Sequence, residues 1–539
     1  MTVYTAITFA PVQGFIEKSR KLRDLYGSSF LLSYLAKTLC QAAKAHGLNV
    51  VSPALIDVTK GTPNQIIIKG NTAFSREEAQ QALNDAWKNV VEKVREAIES
   101  ALPHQPYHWQ REWNHWANHA WEFFWGQGNT INEARQAINE VKRSRNWIGV
   151  NWVGESSTLS GGDGVAWYGM SDQTHPKTAN MGVISDRIAH FYDELSRVFG
   201  NAIIDANEQL SIPELIKRLI TLERIAKKLN FNKKELPESF GDISRLNKNP
   251  EDNRWTAWFQ GDGDKIGDYL KTKAKQDPNG DEGEVLNEFS QAMMDWGEGL
   301  QKTLPPAKVP QNDEGNNKHD GRIIYAGGDD FLGVLYRNEQ PKLTSQECLN
   351  WFYTFPEIWQ QHGVPITVSV GMVWAAPGVP QRDVLQHCRE TESLAKANGR
   401  DRLAIRVLFN SGNYLDWHCP WWWLKELLNS YRDKDGNLQG NWTHIYNDVA
   451  MLESRHAFQD DNKVALELFG IYFGAEQRDK LIERGDDNKY KYLWNDRTGE
   501  KIITGILGEE SQYPDRLAID TAITNWIVNL AKVGFHVCQ

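Results

Sequence analysis

Two periods of apolar residues succeed one another along the first hundred positions. The mostly apolar stretch at 3–9 (VYTAITF) predicts a strand, Phe15 to Ala45 predict one or two helices, and 50–58 and 64–68 predict two more strands joined near Pro63 and Asn64. Residues 75–100 carry the helical period of an amphipathic helix, opened by Ser75 and Glu78 as a capping box. The predicted order is β-α-β-β-α. Residues 104–147, rich in Trp and His, read as helical. His115 and His119 lie four apart on one face, a spacing that suits a metal, but Trp109, Trp113 and Trp116 at helical spacing favour packing. Residues 151–250 start Gly-rich and become helical, as a small connecting domain.

A similar alternation returns after residue 250. WTAWFQG (255–261) predicts a buried strand running into GDGDKIGDYL, followed by a helix with Val285, Leu286, Phe289, Met293, Trp296 and Leu300 on its apolar face. The run IIYAGGDDFLGVLY (323–336) predicts a tight hairpin. A helix over 344–361, capped by Thr344 and Glu347, a strand at 364–373, a helix at 380–397 and a strand at 402–408 complete the series. This is β-α-β-β-α-β extended by one α-β unit, the ferredoxin-like split βαβ order, so the chain carries two versions of one unit. From 411 onward the pattern is helical, with segments near 441–458, 462–474 and 518–534. The expected class is α+β: ferredoxin-like domains at 1–150 and 251–410, a mostly helical connecting domain at 151–250, and an α-helical C-terminal domain at 411–539.

Composition narrows the function classes. The chain has 539 residues, enough for three or four domains. Its 60 basic and 70 acidic residues give a net charge of −10, which argues against a surface that coats nucleic acid throughout and leaves room only for local contacts. Five cysteines stand far apart with no CxxC pair, so neither a disulfide framework nor a cysteine zinc site is indicated, and a reducing cytoplasm is expected. The N-terminus has no signal-peptide pattern, and no uncharged apolar run reaches 18 residues, so neither export nor membrane insertion is supported.

The candidate chemistry lies in the second unit. Asp262 ends its first strand, and Asp329 and Asp330 lie at the hairpin between its second and third. In a split βαβ sheet the first and third strands are adjacent, so these acids converge. Nucleotidyl transfer uses such a cluster to bridge two hard cations roughly 3.5–4 Å apart. Gly327 and Gly328 supply the turn and let a nucleotide approach the backbone. A calcium loop at GDGDKIGD fails, because Ile266 and Lys273 stand where charged ligands are required, and RDKDGNLQGN (432–441) fails because Gly436 is at the wrong offset. Lys396, where the last helix meets the last strand, is placed either to meet phosphates or to sit as a solvated helix end capped by Gly399.

Several motifs together resemble one family. FAPVQGFIEKSRKLRDLYGSSFLLSYLA (9–36), TPNQIII (62–68), DGDKIG (262–267), YAGGDDFLGVL (325–335), SVGMV (369–373) and AKANGRDRLAI (395–405) are similar, in order, to the Palm-domain large subunits of type III CRISPR effector complexes, more the Cmr-type than the Csm-type. The resemblance implies an enzyme that joins ATP into cyclic oligoadenylate when its crRNA-guided complex captures target RNA. It implies other effector subunits as partners and Mg²⁺ or Mn²⁺ on Asp262, Asp329 and Asp330. It further implies Gly263, Asp264, Gly327, Gly328, Lys396 and Arg400 around the nucleotide. The first Palm is degenerate, with Phe9-Ala10-Pro11 and Pro63-Asn64 where acids would be. Two departures matter. The Palm motif begins almost at Met1, and His319-Asp320 is an isolated HD dipeptide, so no HD DNase is expected. Ser157 and Ser160 stand where many members carry knuckle cysteines, so no zinc is expected. An architectural subunit with little turnover is the alternative. A free-standing diguanylate cyclase is disfavoured by the N-terminal block.

Overall fold

The computed structural model describes residues 2–55, 61–144, 152–172, 180–229, 243, 245–247, 249–276, 281–308, 319–459, 462–485, 488–496 and 503–538. Part of the strand expected at 50–58 lies outside these residues. The chain forms two compact units: Met1–Asp242 with Leu270–Met294 and Ile324–Gly328, and Ile243–Tyr269 with Asp295–Ile323 and Asp329–Gln539.

The first unit begins with β1 (Val3–Ala10), α1 (Val12–Glu17), α2 (Leu22–Ala45), β2 (Asn49–Ser52), β3 (Ile66–Gly70) and α3 (Arg76–Ala101). It continues through α4 (Gln110–His119), β4 (Glu122–Gly128), α5 (Ile131–Arg143), α6 (Met181–Phe199), α7 (Ile212–Leu219) and α8 (Glu223–Ala226). Its sheet has the order β2-β3-β1-β4, with β1 antiparallel to both neighbours. The 104–147 stretch is therefore not wholly helical. EFFWGQG is the fourth strand, paired from Tyr4 opposite Gly128 to Ala10 opposite Glu122. Its aromatic residues continue the Trp-rich spacing of α4, which hides the change of period. Its glycines record tertiary packing, since a Cβ on Gly126 would lie 2.7 Å from the Ala134 carbonyl oxygen of α5.

The N-terminal block is built into a polar core. Asp24 accepts the Arg20 and Lys21 backbone N–H groups at 2.9 Å each and two Arg218 guanidinium N–H groups at 2.8 Å each, with Asp24 and Arg218 buried. Burial alone would raise the Asp24 pKa, but the guanidinium and the backbone donors outweigh it and hold the carboxyl below its ordinary value. Gly27 admits α7, because a Cβ there would lie 1.9 Å from the Lys217 carbonyl oxygen. The buried Lys217 ammonium donates to the Lys18 carbonyl at 2.8 Å and sits 4.3 Å from the Phe15 ring centroid. Much of the 9–36 motif thus serves to lock α2 against α7.

The second series of elements is β5 (Thr256–Gly263), α9 (Ile266–Gln276), α10 (Glu282–Leu300), β6 (Arg322–Ala326), β7 (Asp330–Leu335), α11 (Ser345–Phe352), α12 (Phe355–Gln360), β8 (Val368–Ala375), α13 (Gln381–Ala397) and β9 (Arg402–Leu408). Then come β10 (Tyr414–Pro420), α14 (Trp421–Ser430), α15 (Thr443–Ser454), α16 (Lys463–Phe473), α17 (Ala475–Lys480) and α18 (Arg516–Val537). The sheet order β10-β9-β8-β5-β7-β6 contains the ferredoxin-like order, with β9 parallel to β8 and β10 closing the edge. The strand β10 corrects the all-helical reading from 411. Residues 414–420 pair antiparallel with β9, and the helix starts only after Pro420, whose ring fits a helix start and not its interior. Behind the sheet Phe259, Phe331, Trp351, Phe352, Phe355 and Trp359 form a buried aromatic layer.

Candidate active site

The register of β5 against β7 is set by two rings lying over two glycines. Gly261 faces Phe331 and Phe259 faces Gly333 across the ladder. A Cβ at 261 would be 2.2 Å from Phe331 Cζ, and one at 333 would be 2.3 Å from Phe259 Cζ. A slip of one residue would put side chains where only hydrogen atoms fit, so the pairing is pinned and Asp262 falls opposite Asp330. Gly263 then lets the hairpin settle on the strand end. Its N–H donates to the Asp329 carbonyl at 3.1 Å, and a Cβ on it would be 3.2 Å from that of Asp329.

This brings the carboxyls of Asp262 and Asp329 together. Burial first, then the charge of Asp262 beside it, pushes the Asp329 pKa up to about 7, so it holds a proton well above the ordinary carboxylate range. Lys396 from α13 forms an ion pair with Asp262 and a second with Glu392 Oε1 at 2.6 Å. Burial would lower the lysine pKa, but the bonds to these two acids outweigh it and raise it. The approach of α13 depends on Gly371 in β8, where a Cβ would be 2.2 Å from the Glu392 backbone nitrogen. Glu392 and Gly371 were not among the residues singled out from sequence. The i,i+4 spacing of Glu392 and Lys396 was the available signal for the first.

The other expected site residues are placed differently. Asp264 is 5% exposed and accepts from Ser369 Oγ at 2.7 Å, Thr367 Oγ1 at 2.9 Å and the Asp401 N–H at 3.0 Å. It ties the end of β5 to β8 and to the turn before β9, so it is a structural acceptor here and not an open nucleotide ligand. Arg400 lies in that turn with its Nε 3.9 Å from Asp264. Gly399, Arg400 and Asp401 take φ values of 115°, 67° and 49°, a left-handed run buttressed by Thr504, whose hydroxyl donates to Asp401 at 2.8 Å. Gly327 serves the protein backbone: a Cβ there would meet the Gly61 carbonyl oxygen at 2.4 Å. At Gly328 the nearest atom to such a Cβ is Pro63 Cγ at 3.5 Å. Asp330 is exposed at the start of β7.

Asp262, Asp329 and Asp330 are not drawn into one compact ligand set. Among the described residues, the group of three ligating side chains whose atoms lie within 4.8 Å of one another is Asp433 and Asp435, in the loop whose calcium pattern fails, with His444 of α15. There the Asp433 carboxylate accepts the backbone N–H groups of Asp435, Asn437 and Asn441 at 2.9–3.0 Å, which closes the loop internally. His115 and His119 are exposed, with ring centroids 6.4 Å apart. Of the HD dipeptide, Asp320 is buried against Arg337, whose Nε donates to it at 3.0 Å, so it belongs to the fold. Ser157 and Ser160 share a hydrogen bond of 3.2 Å, and Ser157 donates to Glu214 at 3.2 Å.

Residues 4–92 match the family model described as CRISPR-associated protein Cmr2, N-terminal, and residues 255–404 match Cas10/Cmr2, second palm domain. No curated protein sequence matches. Among solved structures the chain is similar to one in the apo state of a type III-B Cmr-beta complex, with 13% identity, a TM-score of 0.56 and coverage of 99% of this chain and 82% of that one, a likeness of fold. A chain from a Csm1-Csm4 cassette crystallised with AMPPNP shows 14% identity and a TM-score of 0.43, covering 100% of this chain and 70% of that one.

Proposed function

This chain belongs to the Cas10/Cmr2 family, the large subunits of type III CRISPR complexes, and we propose that its second Palm unit is a nucleotidyltransferase that makes cyclic oligoadenylate from ATP when target RNA is bound. The observation that carries this reading is the contact between Asp262 and Asp329 at the end of β5, where two acids share one place and Asp329 retains a proton to about 7. A pair with such excess negative potential fits a hard divalent cation, which binds the ionised form. When bound, Mg²⁺ or Mn²⁺ supplies charge neutralisation at the phosphates and activation of the attacking hydroxyl.

The chain's own residues do the rest. Asp262 and Asp329 hold the negative charge that receives the cation, and Asp330 stands exposed across the ladder from Asp262. The register set by Phe259 and Phe331 keeps these groups at fixed places, so positioning is prepared before substrate arrives. The 3′-hydroxyl of one ATP attacks the α-phosphate of another: a P–O bond forms as the bond from the α-phosphorus to the bridging oxygen breaks, pyrophosphate leaves, and the hydroxyl proton passes to water. The proposed partners are other type III subunits, crRNA and target RNA. The proposed location is the cytoplasm, with which the unpaired state of all five cysteines agrees. Among the described residues, no helix is long and apolar enough to cross a membrane.

A second reading, an architectural subunit with little turnover, draws on one observation: a lysine already neutralises Asp262. Incubation of the purified complex with ATP, Mg²⁺ or Mn²⁺ and target RNA separates the two. Oligoadenylate from wild type and none from Asp329→Ala/Asp330→Ala supports the enzyme; none from wild type leaves the architectural reading.

A further inference from the structure

Lys396 stands where a cation is wanted, and it has two acids within reach. Its ammonium bridges Asp262 on β5 and Glu392 one helical turn back on α13. The Glu392 side chain is 8% exposed, whereas those of Asp262 and Lys396 are 28% and 30% exposed, so the lysine joins an open carboxylate to a sheltered one. Gly371 fixes this arrangement by holding the Glu392 backbone against β8. The lysine stem has four rotatable bonds, so the ammonium can leave one acid and stay with the other without any movement of α13.

We propose that Lys396 is the resident counter-ion of the Asp262–Asp329 pair and that Glu392 is its second berth, so that a divalent cation binding the pair displaces the ammonium from Asp262 onto Glu392. This rests on the reading of Asp262 and Asp329 as cation ligands. On Asp262 one cation replaces another, and any proton that Asp329 still holds passes to water as that carboxylate takes the divalent cation. Lys396 and Glu392 are then positioning residues that set how tightly the site takes its metal. The lysine competes with the incoming ion, and the glutamate lowers the cost of giving way.

The two roles have opposite signs, which a merely structural ion pair would not. Binding of Mn²⁺ to the full chain, without nucleotide or RNA, is followed by the EPR signal of free Mn²⁺, counting only the component lost in Asp262→Asn. Lys396→Met should tighten that component roughly fivefold and Glu392→Gln should weaken it by a similar factor, each about 1 kcal/mol. The double variant should match Lys396→Met, because Glu392 has no ammonium left to hold. Unfolding midpoints confirm that each variant is folded. Weakening by both single variants, or no change in either, overturns the counter-ion role and leaves the ligand reading intact. A wild type without any Asp262-dependent Mn²⁺ binding overturns both.

Discussion

At the end of β1, Asn64 donates its side-chain amide to the Thr8 hydroxyl at 3.1 Å and to the Phe9 carbonyl at 3.4 Å. At the end of β5, the corresponding strand of the second unit, Asp262 meets Asp329 and both depend on Lys396 for compensation. The two units share a strand order in which the loop between the second and third strands reaches the end of the first. Topology therefore creates the same place twice, and residue type decides its use. A neutral amide donating to a hydroxyl and a carbonyl satisfies the first place within the fold. Two acids in contact leave the second with more negative charge than the protein neutralises, and that deficit is what a metal or a substrate can exploit.

The sharpest way to break the comparison is to remove the acids. Asp262→Ala should lower oligoadenylate formation by roughly 10³-fold, the several kcal/mol expected when a cation loses a ligand. Asn64→Ala should leave the rate per folded molecule unchanged. Product chromatography on matched complexes measures both.

A smaller effect concerns proton uptake. The Asp329 pKa is raised in the folded state to about 7 from the ordinary aspartate value of 3.8. Between these values the folded chain binds more protons than the unfolded one, so stability contributed by this group is present below about pH 4 and lost as pH rises through 7. Asp329→Asn should match wild type near pH 4 and exceed it at pH 8, by up to about 4 kcal/mol. Urea unfolding at both pH values, without divalent ions, tests this; a variant less stable than wild type at pH 8 would contradict it.

Helix seating comes next. Gly371→Ala puts a Cβ against the Glu392 backbone, as Gly27→Ala does against Lys217 in the first unit. Each should cost about 1–3 kcal/mol of stability through overpacking. Only Gly371→Ala should also alter Mn²⁺ affinity, because only that helix carries Lys396. Last, Asn64→Ala should cost about 1 kcal/mol, the worth of a neutral hydrogen bond, read from the shift in its urea midpoint.

Much of this was legible in the chain. Period alone gave the strand at 402–408, found at Arg402–Leu408, and the helix at 380–397, found at Gln381–Ala397. It failed at β4 and β10, where aromatic residues beside a Trp-rich helix carry no local sign of which period they follow. Both are edge strands of their sheets, and only the neighbouring strand makes them extended. Asp262 and Asp329 stood out in the sequence because acids at strand ends are conspicuous, and the fold places them side by side. The enclosure of Asp264 was not legible, because its donors, Ser369 and Thr367, come from β8 and the residue just before it, more than a hundred residues away.

The sequence by itself determined the repeated ferredoxin-like order and the acids that distinguish one copy from the other, since both are written in local period and residue type. The tertiary structure decided which acids are open and which are enclosed. It pairs Phe259 and Phe331 with glycines on the opposite strand, closes Asp264 behind β8, and sets Lys396 on Asp262 across 134 residues of chain. Local sequence fixes the face a side chain presents; its partner is fixed only when distant segments pack, and at this site the partner determines the charge.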